Sequence, residues 1–149
     1  MLNYVVWDID PEIFSIGSLH IRWYGLLWAI GIWVTLVLTQ KIFKHEKHPD
    51  VWVDKLFLYT VLGAIIGARL GHCLFYNPGF YLARPWEMLF VWQGGLASHG
   101  GAIGILISTW LFNKNVSKKG FIWVLDRLVI GVSLTGMLIR LGNLMNSEI

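Results

Sequence analysis

Charge is the scarcest thing in this sequence. Only 14% of the 149 residues are Asp, Glu, Lys or Arg, and 56% are hydrophobic. An average soluble domain carries about 25% charged and about 45–50% apolar residues. With a mean hydropathy of +0.59, the apolar excess calls for a solvent other than water. Cysteine is nearly absent too. Cys73 stands alone, which excludes an intrachain disulfide, and its place inside an apolar run reads as a small packed residue. A basic segment ahead of the first apolar run is also lacking: Asp8, Asp10 and Glu12 come there instead, so the N-terminus does not read as a secretory signal. The net charge is 12 − 9 = +3. Its basic residues are not interleaved with exposed aromatics, which argues against nucleic acid as a partner. His20, His45 and His48 have no Cys or carboxylate cluster at metal-ligand spacing, so they do not read as a metal site. No low-complexity tract, repeat or soluble domain is apparent.

What is present is long apolar runs. About 20 such residues cross a bilayer as a helix. Four candidate spans lie near 21–40, 54–76, 94–113 and 121–141, the third in a stretch free of Lys, Arg, Asp and Glu from Met88 to Asn113. The runs are continuous rather than alternating, which favours helices over a barrel. The expected fold is an all-α polytopic integral membrane protein, with residues 1–149 as a single transmembrane domain of about four helices. Lysines set its orientation. The first connection carries Lys41, Lys44, Lys47 and Lys55, the second only Arg84, and the third Lys114, Lys118 and Lys119. Positive loops stay cytoplasmic, so both chain ends face outward. Trp23, Trp86 and Trp92 fit the outer boundary, and Trp52, Trp110 and Trp123 the inner one. Pro78 and Pro85 break the outer connection, and 80–92 reads as a short interfacial helix.

Four features could carry chemistry. In the second span, Gly63, Gly67 and Gly71 share one face and permit close helix approach. Arg69, His72, Cys73 and Tyr76 lie on roughly the opposite face. Arg69 reads either as an anion-binding residue or as a structural, snorkelling arginine. Next, Gly94, Gly95, Gly100 and Gly101 surround His99 where the third span begins. Backbone N–H groups at a helix start attract phosphate, and His99 could take a proton from a thiol. The alternative is a packed glycine interface with a hydrogen-bonded histidine. Third, Arg140, Gly142, Asn143, Asn146 and Glu148 close the fourth span. An arginine fork there suits phosphate, with Asn and Glu side chains for headgroup atoms; an ordinary polar exit from the membrane would look the same. Fourth, Tyr24 beside Arg22 either lines a headgroup pocket or belongs to the aromatic belt. The orientation argument places all four features on the outer face, which suggests a pocket for an anionic lipid.

The segments IRWYG (21–25), GARLGHCLFYN (67–77), VWQGGLASHGG (91–101) and RLGNLMNSE (140–148) together resemble the prolipoprotein diacylglyceryl transferase family, over nearly the whole chain and in the family's order. The resemblance implies a multi-pass enzyme of the bacterial inner membrane with its active site toward the outer leaflet. It would move the diacylglyceryl group of phosphatidylglycerol to the lipobox cysteine of a prolipoprotein, without a cofactor. It also implies Arg140 as phosphate-binding and His99 as thiol-activating. Tyr24, Asn143 and Glu148 match further site positions, and Gly142 and Asn146 match the signature. Ser147 and Ile139 stand where the family commonly has glycine. Family members continue with further helices and a second arginine, so this chain is expected to be a truncated form or one piece of a split protein, with the C-terminal half as partner. The rival expectations are a non-catalytic phosphatidylglycerol-binding or assembly subunit, and a small transporter, which the lack of repeats disfavours.

Overall fold

The computed structural model describes residues 9–17, 19–91 and 94–147. The chain divides into two compact units, one of Met1–His45 with Asp126–Ile149 and the other of Glu46–Leu125.

The first unit opens with an antiparallel hairpin, β1 (Glu12–Ile16) and β2 (Leu19–Arg22). Ile16 pairs with Leu19, and Gly17 supplies the positive φ (+62°) that so short a link demands. The expected first span thus begins two residues later, as α1 (Trp23–His45), because 19–22 is strand. Lys44 occupies the last turn of α1, where a cation is favoured by the negative end of the helix. Most of α5 (Phe121–Met145) lies in this unit. The two helices run antiparallel along a seam of small residues. Thr35 Oγ1 donates to the Gly131 carbonyl at 2.7 Å and sits 2.7 Å from Thr135 Oγ1. A Cβ at Gly31 would stand 3.0 Å from the Thr135 methyl, and one at Gly142 3.0 Å from Tyr24 Cα. Hydroxyls bonded across the seam satisfy polar groups that lipid could not.

The second unit is built on α2 (Asp50–Phe75) and α4 (Ser98–Phe112). Pro49 precedes α2 in extended conformation and Asp50 sits in its first turn, both suited to a helix start. Gly63, Gly67 and Gly71 meet Gly104 and Gly100 backbone to backbone: a Cβ at Gly67 would lie 2.8 Å from Gly104 Cα, and one at Gly71 2.8 Å from Gly100 Cα. The expected glycine stripe therefore has its partner in a second glycine stripe. Between them come α3 (Pro78–Ala83) and a 3-10 turn (Pro85–Leu89), split by Pro85 where the sequence suggests one short helix. A π turn (Asn113–Ser117) follows α4. Asn113 Oδ1 accepts from Ser117 Oγ (3.2 Å) and from the Gly120 amide (2.8 Å), closing that end.

Among the described residues three helices are long and apolar enough to cross a membrane: α1, α2 and α5. At about 1.5 Å per residue each exceeds the roughly 30 Å hydrocarbon core. The third expected span is represented by α4 with its 15 residues. It starts at Ser98 because Gly94 and Gly95 hold φ of +83° and +73°, outside helical geometry. Trp33, Leu58, Ile66 and Leu70 are exposed on these helices, the reverse of a water-soluble surface.

Candidate functional site

In the first unit the candidate residues gather where α1 begins and α5 ends. Gly142 is buried, and its missing side chain is what admits Tyr24. These two residues, far apart in sequence, thus serve one contact. Arg140 stands on nearly the opposite side of α5 from Gly142, since two helical steps rotate by about 200°. It is exposed, and among the described residues its guanidinium makes no hydrogen bond or ion pair. Asn143 lies one turn beyond it on the same side. Asn146 borders a polar cleft of about 260 Å³ with Asp10, Pro11, Glu12 and Arg22. Its Oδ1 is buried without a partner among the described residues. Glu148 lies outside the described residues.

On the hairpin beside that cleft, His20 Nδ1 donates to Glu12 Oε1 at 2.8 Å. This bond holds the Glu12 carboxyl below the usual carboxylate range.

In the second unit the chemistry gathers at the Phe75 end of α2. Arg69 is only 3% exposed. Its Nε donates to the Met88 carbonyl (3.0 Å) and its Nη2 to the Glu87 carbonyl (2.7 Å). Its Nη1 donates to the carbonyls of Gly94 and, at 3.4 Å, Gly95. The guanidinium also lies 5.3 Å from the Tyr81 ring centre. The sequence leaves Arg69 as either an anion-binding or a structural arginine; its guanidinium donates to backbone carbonyls and ties segment 87–95 to α2. The carbonyls it serves offer no side-chain pattern to read in a sequence.

Gly100 and Gly101 also separate from each other. Gly100 is a packing glycine, since a Cβ there would strike the Gly67 carbonyl and approach Gly71 Cα to 2.8 Å. Gly101 meets only ordinary contact, at 3.5 Å. Its amide donates to the Ala97 carbonyl, and the Ala97 amide donates to Ala68 across the seam at 2.9 Å. So the expected phosphate cradle is in good part the place where two helices touch. His99 is exposed at the second position of α4, with ring contacts to Phe75 (5.7 Å, edge-on) and Tyr76 (6.0 Å, 26° between planes). His72 and Tyr76, which the sequence placed on one face, stack at 5.4 Å. A groove of about 530 Å³ along α2 and α4, lined by Leu62, Ile66, Leu70 and Ile107, offers almost no polar atoms.

Long helices apolar around their circumference, with an exposed arginine near the end of one and a glycine-flanked histidine at the start of another, define an all-α integral membrane protein. Residues 11–149 match the family described as prolipoprotein diacylglyceryl transferase, and the chain belongs to that family. It is 48% identical over 147 residues to the phosphatidylglycerol–prolipoprotein diacylglyceryl transferase of Chloroherpeton thalassium, covering 99% of this chain and 55% of the relative. Similarity to the enzymes of that name from Porphyromonas gingivalis (46% over 151 residues, 98% and 52% covered) and Tolumonas auensis (47% over 143, 96% and 55%) is of the same order. The chain spans about half the length of these curated relatives.

Proposed function

We propose that this chain supplies the N-terminal half of a transferase that moves the diacylglyceryl group of phosphatidylglycerol to the lipobox cysteine of a prolipoprotein. The observation that carries the proposal is Arg140: a cation on an apolar helix, with no partner among the described residues, in a chain of this family. A charge on a membrane helix with no counter-charge among the described residues fits an anionic ligand or a partner outside them.

The chemistry follows from the residue types. His99 accepts the thiol proton. The thiolate attacks the glycerol carbon, a C–S bond forms, the C–O bond to phosphate breaks, and glycerol phosphate leaves with the electron pair. Arg140 meets the phosphate bidentately and holds the charge that develops on it. Asn143, Tyr24 and Glu148 are the substrate-binding residues of this reading. Gly142 and Asn146 shape the backbone near Arg140, and Gly100 and Gly101 that near His99, where Arg69 also holds segment 87–95. The acyl chains stay in the bilayer throughout. In this reading the protein is a multi-pass protein of the inner membrane with about four crossings, both ends and the site face the outer leaflet, and the C-terminal half is the remaining partner.

The test is transfer itself. The chain, alone and with the C-terminal half of a relative, is placed in phosphatidylglycerol membranes with a lipobox peptide, and the adduct is sought by mass spectrometry. An adduct that vanishes on Arg140→Lys and His99→Gln supports the reading. An adduct insensitive to both substitutions sinks it.

A further inference from the structure

We infer that Tyr76 is a positioning residue that holds the His99 ring in its working orientation; this rests on the reading of His99 as the thiol's base. A histidine that moves a proton is commonly oriented by a hydrogen bond on its second nitrogen. Among the described residues the His99 side chain has no hydrogen bond or ion pair. Aromatic rings take that place. Phe75 meets the imidazole edge-on at 5.7 Å, and Tyr76 lies over it at 6.0 Å with planes 26° apart, both within the range of favourable ring pairs.

Tyr76 could not do this unaided, because it is 66% exposed and caps the last turn of α2. Its position is set by His72, stacked at 5.4 Å and 16°. His72 is held in turn by the edge of Tyr81, at 6.1 Å, and by Gly95. A Cβ at Gly95 would stand 2.5 Å from His72 Nε2, and its φ of +73° belongs to glycine, so backbone presses directly on the imidazole. The Gly95 carbonyl is one of those Arg69 anchors. A continuous run of contacts thus leads from a buried arginine to the exposed His99. The stack also suits the charge that appears when His99 takes a proton, because an imidazolium is attracted to the face of a phenol ring. The ring does this work and the hydroxyl does not, so phenylalanine should substitute and leucine should not.

The experiment is NMR of the chain in phosphatidylglycerol nanodiscs with labelled histidine and tyrosine, combined with transfer kinetics. Expected is a nuclear Overhauser cross-peak between the Tyr76 and His99 rings and a ring-current displacement of the His99 Hε1 signal. Both the displacement and the rate should be lost in Tyr76→Leu and restored in Tyr76→Phe. The fall in kcat should be roughly tenfold or more, with KM for phosphatidylglycerol within about twofold, because a misplaced ring costs orientation rather than lipid binding. The wild-type cross-peak needs no variant, so its absence overturns the proposal even if Tyr76→Leu does not fold. A His99 signal unmoved by Tyr76→Leu also overturns it, as does a freed ring with unchanged kcat. Full transfer in His99→Gln with the cross-peak intact would instead overturn the reading of His99 as base.

Discussion

Arg69 donates through Nη2 to the carbonyl oxygen of Glu87 at 2.7 Å, and this bond joins a membrane helix to the 3-10 turn that caps it. With its companions at Met88, Gly94 and Gly95 it turns a buried cation into the anchor of an otherwise irregular segment.

Arg69→Lys is therefore expected to loosen residues 87–95. An ammonium cannot reach carbonyls arranged around a planar fork, and the buried acceptors left without donors cost about 2 kcal/mol or more. Hydrogen exchange should quicken across 87–97, and the melting temperature in detergent should fall. Unchanged exchange there would deny Arg69 its anchoring role.

Gly100→Ala and Gly101→Ala should behave differently. At Gly100 the new methyl enters the α2–α4 seam, 2.8 Å from Gly71 Cα, and overpacking of this kind costs about 1–3 kcal/mol. At Gly101 the nearest atoms stand at 3.5 Å, so a change within about 0.5 kcal/mol is expected. Thermal denaturation of both variants decides. Equal losses would mean that both glycines serve something other than the helix seam.

The hairpin should weaken in acid. The His20 hydrogen bond lowers the Glu12 carboxyl below its ordinary value. The stabilisation is present above that ordinary value and is lost as pH falls through the lowered, folded one. Amide exchange in Glu12–Ile16 and Leu19–Arg22 should therefore rise, beyond its intrinsic pH dependence, as pH falls below the ordinary carboxylate range. Glu12→Gln should abolish that extra rise; its persistence would place the sensitivity elsewhere.

Arg140→Lys should lower transfer by about a hundredfold, since a bidentate contact to the phosphate becomes a single point charge. Arg22→Lys should cost less than about threefold, because Arg22 sits on the hairpin and its charge survives the change. Equal rates in the two variants would remove Arg140 from the site.

The helices were legible because apolar runs of this length permit little else, and the stripe Gly63, Gly67, Gly71 announced a close approach. Gly100, Gly104 and Ser108 repeat at the same spacing, so the other side of the seam was also readable in the sequence. The hairpin was harder to see: its strands have five and four residues, and only Gly17 between them marks the turn. Arg69 stayed ambiguous because its partners are carbonyls, which every residue has. The joint role of Tyr24 and Gly142 was hidden by sequence separation, since neither residue alone says that the other fills its space.

The anchoring of Arg69 also has a schedule. Its Gly94 acceptor is made 25 residues after it. At about 5–20 residues per second, the ribosome leaves that guanidinium without its acceptor for roughly one to five seconds. A charge cannot wait in hydrocarbon at no cost, so α2 has reason to linger at the translocon or the headgroup layer until the following segment has emerged. The order in which this protein settles into its bilayer is thus written in the distance between one arginine and the glycine that receives it.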